Sequence, residues 1–241
     1  MKNLIYLIAL MFAVIITSCT DEDNPHEGGR LRITKMAYNA NLDNPSTFEY
    51  DLNNHLVKLI LVEGNYTTTY DIENNADGKP IKITYDVYDG MKYTIVIDIE
   101  WTDDGFIFVD EKYNEDDIFK LDSQGRIIKK TKKGFSYETI LNWNGDDNLT
   151  VDEAEFKFNG IIHPLSNINI AILQAIDLYM GEWETEWQNN YCINEYRDGS
   201  MTIRLSYDVN EQNYPTLMKV RYGTNSESLP SEYMSFEYES Y

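Results

Sequence analysis

From Leu31 onward, apolar and polar residues take turns. Ile95, Ile97, Ile99 and Trp101 fall on one side of an extended chain, with Thr94, Asp98 and Glu100 on the other. The same holds for Ile81, Ile83, Tyr85 and Val87 against Lys82, Thr84 and Asp86. It holds again for Phe135, Tyr137, Thr139, Leu141 and Trp143, and for Ile203, Leu205, Tyr207 and Val209. A period of two with polar alternates predicts antiparallel strands, apolar on one face and wet on the other. Turn signals separate the runs: Asn53-Asn54, Asp77-Gly78, Asp89-Gly90, Asp104-Gly105, Gln124-Gly125, Asn144-Gly145 and Asp198-Gly199. Such pairs supply the positive φ of tight hairpins. The pattern predicts an all-β meander.

One stretch departs from it. Leu165, Ile168, Ile172, Ala175, Ile176 and Tyr179 recur at helical spacing, and Gly181 follows as a stop. A helix over about 166–180, capped by Ser166 or Asn167, is expected to cover part of the apolar face. Curling or closure of the sheet into a barrel would cover the rest and remove exposed edges.

The hairpins echo one another. Phe119 to Lys130 reads as strand, turn and strand, FKLDSQGRIIKK. Looser copies run over Phe48 to Leu59, Tyr70 to Ile83, Asn142 to Leu149 and Tyr207 to Lys219. The shared form is an aromatic residue or Leu, Asp or Asn, a turn, then an apolar residue, often with Lys. Copies about two dozen residues apart indicate an internal repeat of hairpin length.

The amino terminus is a separate matter. Lys2 precedes an apolar run from Leu4 to Ile16, too short for a stop-transfer helix. Ile16-Thr17-Ser18-Cys19 then looks like a bacterial lipobox, with cleavage before Cys19 and lipid on its thiol. This divides the chain into a signal peptide (1–18), a lipidated acidic tether (19–29) and one domain (30–241). The mature chain keeps 241 − 18 = 223 residues. Each buried methylene contributes about 0.8 kcal/mol, so several acyl chains give firm attachment to a membrane without a spanning segment. The acidic tether after Cys19 resembles the export signal of Bacteroidetes-type surface lipoproteins. That places the domain on the outer membrane, facing outward, with the periplasmic face as the alternative.

Charge narrows the partners. Asp plus Glu number 41 against 20 Lys plus Arg, a net of −21. Nucleic-acid phosphates and anionic lipid surfaces are repelled. Cys19 is assigned to lipid, so Cys192 has no cysteine partner, and the core must hold the fold without a disulfide.

The lipobox, the acidic tether, the pairs Tyr50-Asp51, Tyr70-Asp71 and Tyr207-Asp208, and Asn213-Tyr214-Pro215-Thr216 resemble a family of Bacteroidetes lipoproteins of unknown function. That family is built from degenerate YD, or RHS-like, hairpin repeats. The resemblance implies a porin-like single-sheet fold and an envelope location. It brings no catalytic residue.

Candidate chemistry is sparse. Asn142, Asn144, Asp146, Asn148 and Glu153 have the spacing of a twelve-residue calcium loop, but Asp147 stands where the sharp turn wants Gly. A polar hairpin turn explains them equally. No other cofactor is implied. His26, His55 and His163 are isolated in sequence, and no nucleophile elbow or phosphate-binding glycine loop occurs. No catalytic residue is assigned. Trp183 and Trp187 lie four apart and would stack on sugar rings if exposed, or join the core if not. The sequence thus favours a non-enzymatic module that binds a glycan or an envelope protein, or scaffolds a complex. The alternative is a polysaccharide hydrolase using a carboxylate pair. A pore is disfavoured, because a spanning barrel needs an apolar belt outside.

Overall fold

The computed structural model describes residues 30–38, 44–63, 66–88, 92–109, 116–136, 138–145, 148–151, 153–180, 191–199, 201–223 and 231–241. The strands are β1 (Leu31–Tyr38), β2 (Ser46–Tyr50), β3 (Leu56–Glu63), β4 (Tyr66–Asn74), β5 (Pro80–Tyr88), β6 (Lys92–Thr102), β7 (Gly105–Val109) and β8 (Asp117–Leu121). They continue with β9 (Ile127–Lys132), β10 (Glu138–Asn144), β11 (Asn148–Val151), β12 (Ala154–Ile162), β13 (Tyr191–Asp198), β14 (Met201–Val209), β15 (Pro215–Tyr222) and β16 (Ser231–Ser240). One helix, α1 (Ile170–Met180), is set between β12 and β13. Each strand pairs antiparallel with its sequence neighbours, and β16 pairs with β1, so the meander closes into a barrel. Closure pairs the first strand with the last, so neither is left as the edge strand of an open sheet.

The alternation sorts inside from outside. Ile33, Leu59, Tyr70, Ile83, Phe106, Phe119, Ile127 and Leu149 are almost wholly buried and come from strands between β1 and β11, while Ile193, Ile203, Val220, Met234 and Phe236 continue the buried face on β13–β16. Phe106 touches Trp101, Phe108 and Phe119, with ring centroids 5.3, 5.4 and 4.7 Å away. The outward row carries ion pairs instead: Lys58–Asp71, Lys82–Asp98, Lys120–Asp104, Lys129–Glu138 and Lys219–Asp208. This is the reverse of a lipid-spanning barrel, whose outer face is apolar at mid-strand. Among the described residues, no helix is long and apolar enough to cross a membrane.

The helix lies within the barrel. Ala171, Ile172, Leu173, Gln174, Ala175 and Ile176 are all buried, and six consecutive residues cover every side of a helix. Over these six residues the helix has no wet face, so it occupies part of the lumen. Its cap is Asn169, whose Oδ1 accepts the Ala171 N–H at 3.0 Å. Ser166 and Asn167 were the expected caps. They sit instead in a turn joined by bonds from Ser166 N–H to the His163 carbonyl and from Ile168 N–H to the Leu165 carbonyl.

A recurring device ends the barrel at four of the even-to-odd hairpins, β2–β3, β4–β5, β8–β9 and β14–β15. Asp51, Asn75, Asp122 and Asn210 each accept, at one side-chain oxygen, the backbone N–H groups two and four residues ahead. The residue three ahead has positive φ: Asn54, Gly78, Gly125 and Asn213. The residue six ahead is skipped by the ladder as a bulge: Val57, Ile81, Ile128 and Thr216. The sequence repeat is therefore a turn and a bulge together. Its Tyr-Asp pairs are not equivalent, however. Asp51 makes a turn, whereas Asp71 and Asp208 lie in strands and face Lys58 and Lys219.

Three expected core positions, Ile81, Phe135 and Val209, are exposed, and a bulge displaces the first. Glu73 pairs with Lys82 but Asn74 with Pro80, so Ile81 swings out to 41% exposure and Pro80 is buried in its place. Phe135 belongs to the turn before β10 and is exposed, with the Lys132 ammonium 5.4 Å from its ring centre.

Every bulge leaves a carbonyl that the ladder does not use. In six cases a side chain on the following strand takes it. Tyr50 donates to the Ile33 carbonyl, Asn74 to Leu56, Trp101 to Pro80, Trp143 to Ile127, Tyr207 to Ile193 and Tyr238 to Pro215, at 2.7–3.0 Å. The bulged residues are Thr34, Val57, Ile81, Ile128, Asn194 and Thr216. All lie on odd strands.

Candidate functional site

The helix does not fill the whole lumen. Against β13–β16 and β1 lies a cavity of about 70 Å³. A single water needs only roughly 10–15 Å³ on this measure, so the space is larger than a solvation defect. Tyr38, Tyr222 and Tyr233 stand at one end, with Tyr38 and Tyr233 edge to face at 5.7 Å. Ile203, Leu205, Met218, Val220, Met234 and Phe236 line the walls. His163, Cys192 and Tyr207 are at the other end. Strand alternation explains the lining: Ile203, Leu205 and Tyr207 are inward positions of β14, and their ladder partners Tyr222, Val220 and Met218 are inward on β15.

The wall beside the cavity is open on one side. The β13–β14 ladder covers Glu195–Asp198 of β13 and stops at the Glu195–Arg204 pair. Beyond it lies Asn194, which bulges against β12, and the Tyr207 hydroxyl bridges β14 to β13 by donating to the Ile193 carbonyl at 2.7 Å.

His163 and Cys192 are held neutral. Burial depresses His163 to about 3, and its Nδ1 accepts the Leu165 N–H at 3.1 Å. Burial pushes the Cys192 thiol up to about 12, and its Sγ lies 3.6 Å from the Ile162 carbonyl. A nucleophilic cysteine needs the opposite, a thiolate stabilised by a protonated partner. Sequence reading saw these two residues as unrelated. The long connection through α1 brings them to one cavity, and only their apolar neighbours hinted at burial.

Among the described residues, the cavity lining has no carboxylate. On the outer side of the same strands lies a cleft of about 470 Å³, whose one carboxylate among the described residues is Glu195. Lys157, Arg197 and Arg204 contact Glu195 at 2.9, 2.9 and 3.2 Å. The Lys157 hydrogen bond, helped by both arginines and opposed by desolvation, holds Glu195 down to about 2. A carboxyl so acidic is not a general acid at neutral pH.

The residues singled out from sequence are dispersed. Asn142 and Asn144 lie exposed on β10, and Asn144 pairs with Asn148 at the start of β11. Glu153 lies beyond the far end of β11, about 16 Å along an extended chain from Asn148. The hairpin thus pulls Glu153 away from the asparagines. Among the described residues, no three acidic, histidine or cysteine side chains gather as a metal site. Asp146, Trp183, Trp187 and Cys19 lie outside the described residues.

No family profile matches the chain, and no curated protein does. Among solved structures, a porin-like protein from Bacteroides uniformis aligns at 11% identity and a TM-score of 0.37, covering 76% of this chain and 94% of that one. A porin-like protein from Bacteroides vulgatus aligns at 12% identity and a TM-score of 0.40, covering 86% and 99%. Similarity at these scores supports no conclusion about function.

Proposed function

We propose that this protein is a non-catalytic binding module of a bacterial envelope. It is tethered by lipid on Cys19 to the outer membrane, faces outward, and receives a small apolar or aromatic group in its lumen. The observation that carries the reading is the lumenal cavity, walled by aliphatic, Met and Tyr side chains beside neutral His163 and Cys192. Concave apolar sites with a few polar groups are the usual form of ligand pockets. The hydrolase alternative needs two carboxylates about 5–9.5 Å apart across one cleft. Neither described cleft offers such a pair.

The group can belong to a free molecule, a glycan substituent or an envelope protein. Titrating the mature chain with benzene and with indole, read at the methyl resonances of Met218 and Met234, tests the site. Saturable shifts that Leu205→Phe abolishes support it, and flat titrations with both probes refute it. A glycan array and a calcium titration on the same protein test the contributions of Trp183, Trp187 and the Asn142–Glu153 segment. Palmitate labelling that Cys19→Ala removes tests the anchor.

A further inference from the structure

The outer wall carries a second feature, independent of the cavity reading. Lys157, Glu195, Arg204 and Arg221 are consecutive ladder partners on β12, β13, β14 and β15, so they form one outward row across four strands. Glu195 is shared by Lys157, Arg197 and Arg204. Arg221 completes the row opposite Arg204, a juxtaposition of like charges that costs stability unless something lies between them. The Arg221 Nε is shielded from solvent and has no acceptor among the described residues. Both guanidinium groups face the cleft of about 470 Å³, which Asn194 and Ser206 also line. This concentration of cations stands out on a chain whose net charge is −21.

We infer that Arg204 and Arg221, with Asn194 and Ser206 beside them, bind an oxyanion on the outer face of the barrel. A guanidinium presents a planar fork of donors that matches carboxylate and phosphate oxygens. An anion between the two arginines satisfies Arg221 Nε and screens the repulsion. Lys157 raises the local potential, and Glu195 fixes Arg204 in place while opposing the ligand. Such a group can come from an acidic sugar carboxylate or from a phosphate or sulfate ester, and the probes separate these sources.

The test is titration of the full mature chain with inorganic phosphate, sulfate and acetate at constant ionic strength, read at the arginine Nε–Hε resonances. Saturable shifts at Arg204 and Arg221 are expected. Arg221→Met should weaken binding about tenfold, the loss of one charge-assisted hydrogen bond. Arg221→Lys keeps the charge without the fork and should fall between, which preserves the test if the Met variant folds poorly. Glu195→Gln should tighten binding by removing the competing anion. Acetate binding as well as phosphate assigns a carboxylate, whereas phosphate and sulfate alone assign an ester. Absence of saturation with all three probes, or affinities that neither Arg221→Lys nor Glu195→Gln alters, overturns the site.

Discussion

Three of the six side chains that hold bulge carbonyls are tyrosines, so the device can be tested by deleting one oxygen atom. Tyr50, Tyr207 and Tyr238 donate to the Ile33, Ile193 and Pro215 carbonyls at 3.0, 2.7 and 2.8 Å. Burial raises the Tyr50 and Tyr238 phenols well above the usual range, so both are donors at any working pH. Phenylalanine keeps the ring contacts, including the Arg32 guanidinium 4.5 Å from the Tyr50 ring centre. What is lost is one hydrogen bond, and what remains is a half-buried carbonyl without its partner. That costs about 1–2 kcal/mol, the lower part of the range for an unsatisfied buried acceptor.

Urea unfolding of Tyr50→Phe, Tyr207→Phe and Tyr238→Phe measures it. With slopes of about 2–3 kcal/mol per molar, each midpoint should fall by roughly 0.3–1 M. Tyr222→Phe is the control. Tyr222 is 59% exposed, and a change at so exposed a residue should alter stability by less than about 0.5 kcal/mol. If all three buried variants unfold with the control, the bulge carbonyls are satisfied some other way, and the device does not hold the barrel.

Three further outcomes follow from the packing. A Cβ on Gly105 would lie 1.9 Å from the Phe119 carbonyl oxygen, so Gly105→Ala must separate β7 from β8 at a cost of about 2–3 kcal/mol. Gly125→Ala meets open space at φ +80° and should cost only about 1 kcal/mol, and equal midpoints in urea would contradict the register. Gln174 is 3% exposed inside the lumen, and its Nε2 has no acceptor among the described residues. Gln174→Met should raise stability by about 1 kcal/mol, and a clear loss would show that the amide is partnered. Glu195 is held down to about 2 from 4.5 in the fold, so its ionised form stabilises the native state above about pH 4.5. That contribution fades as pH falls towards 2, so the stability gap between native protein and Glu195→Gln should close over that interval. A gap that widened there would reverse the assignment.

Much of the barrel was legible because its wall is thin and its two faces meet different media. Ile97 and Ile99 are buried and Glu100 is exposed as alternation predicts, since a period of two has only two outcomes. The turns were legible for the same local reason: Asp122 and Gly125 satisfy one hairpin by themselves. Bulges were not. A single skipped residue exchanges the roles of Pro80 and Ile81, and nothing within nine residues of β5 announces it. The signal was nonlocal, in the equal spacing from Asp51 to Val57, Asn75 to Ile81, Asp122 to Ile128 and Asn210 to Thr216. The oxyanion site was hidden by separation too. Positions 157, 195, 204 and 221 become neighbours only once the register of four strands is known.

The bulge rule also explains why closure is not a weak seam. Counting round the ring, each of these six bulges forms against the preceding strand, and its carbonyl is held by the following one. At the junction, Thr34 bulges against β16 and Tyr50 on β2 takes the freed Ile33 carbonyl. One strand earlier, Thr216 bulges against β14 and Tyr238 on β16 takes the Pro215 carbonyl. The strand at each end of the chain therefore obeys the pattern of the interior hairpins, although β1 and β16 are the most distant partners in sequence. The same strand that closes the ring supplies Met234 and Phe236 to the cavity wall. Closure and the candidate pocket thus share one strand, β16, and a loss of its position removes the Met234 and Phe236 wall.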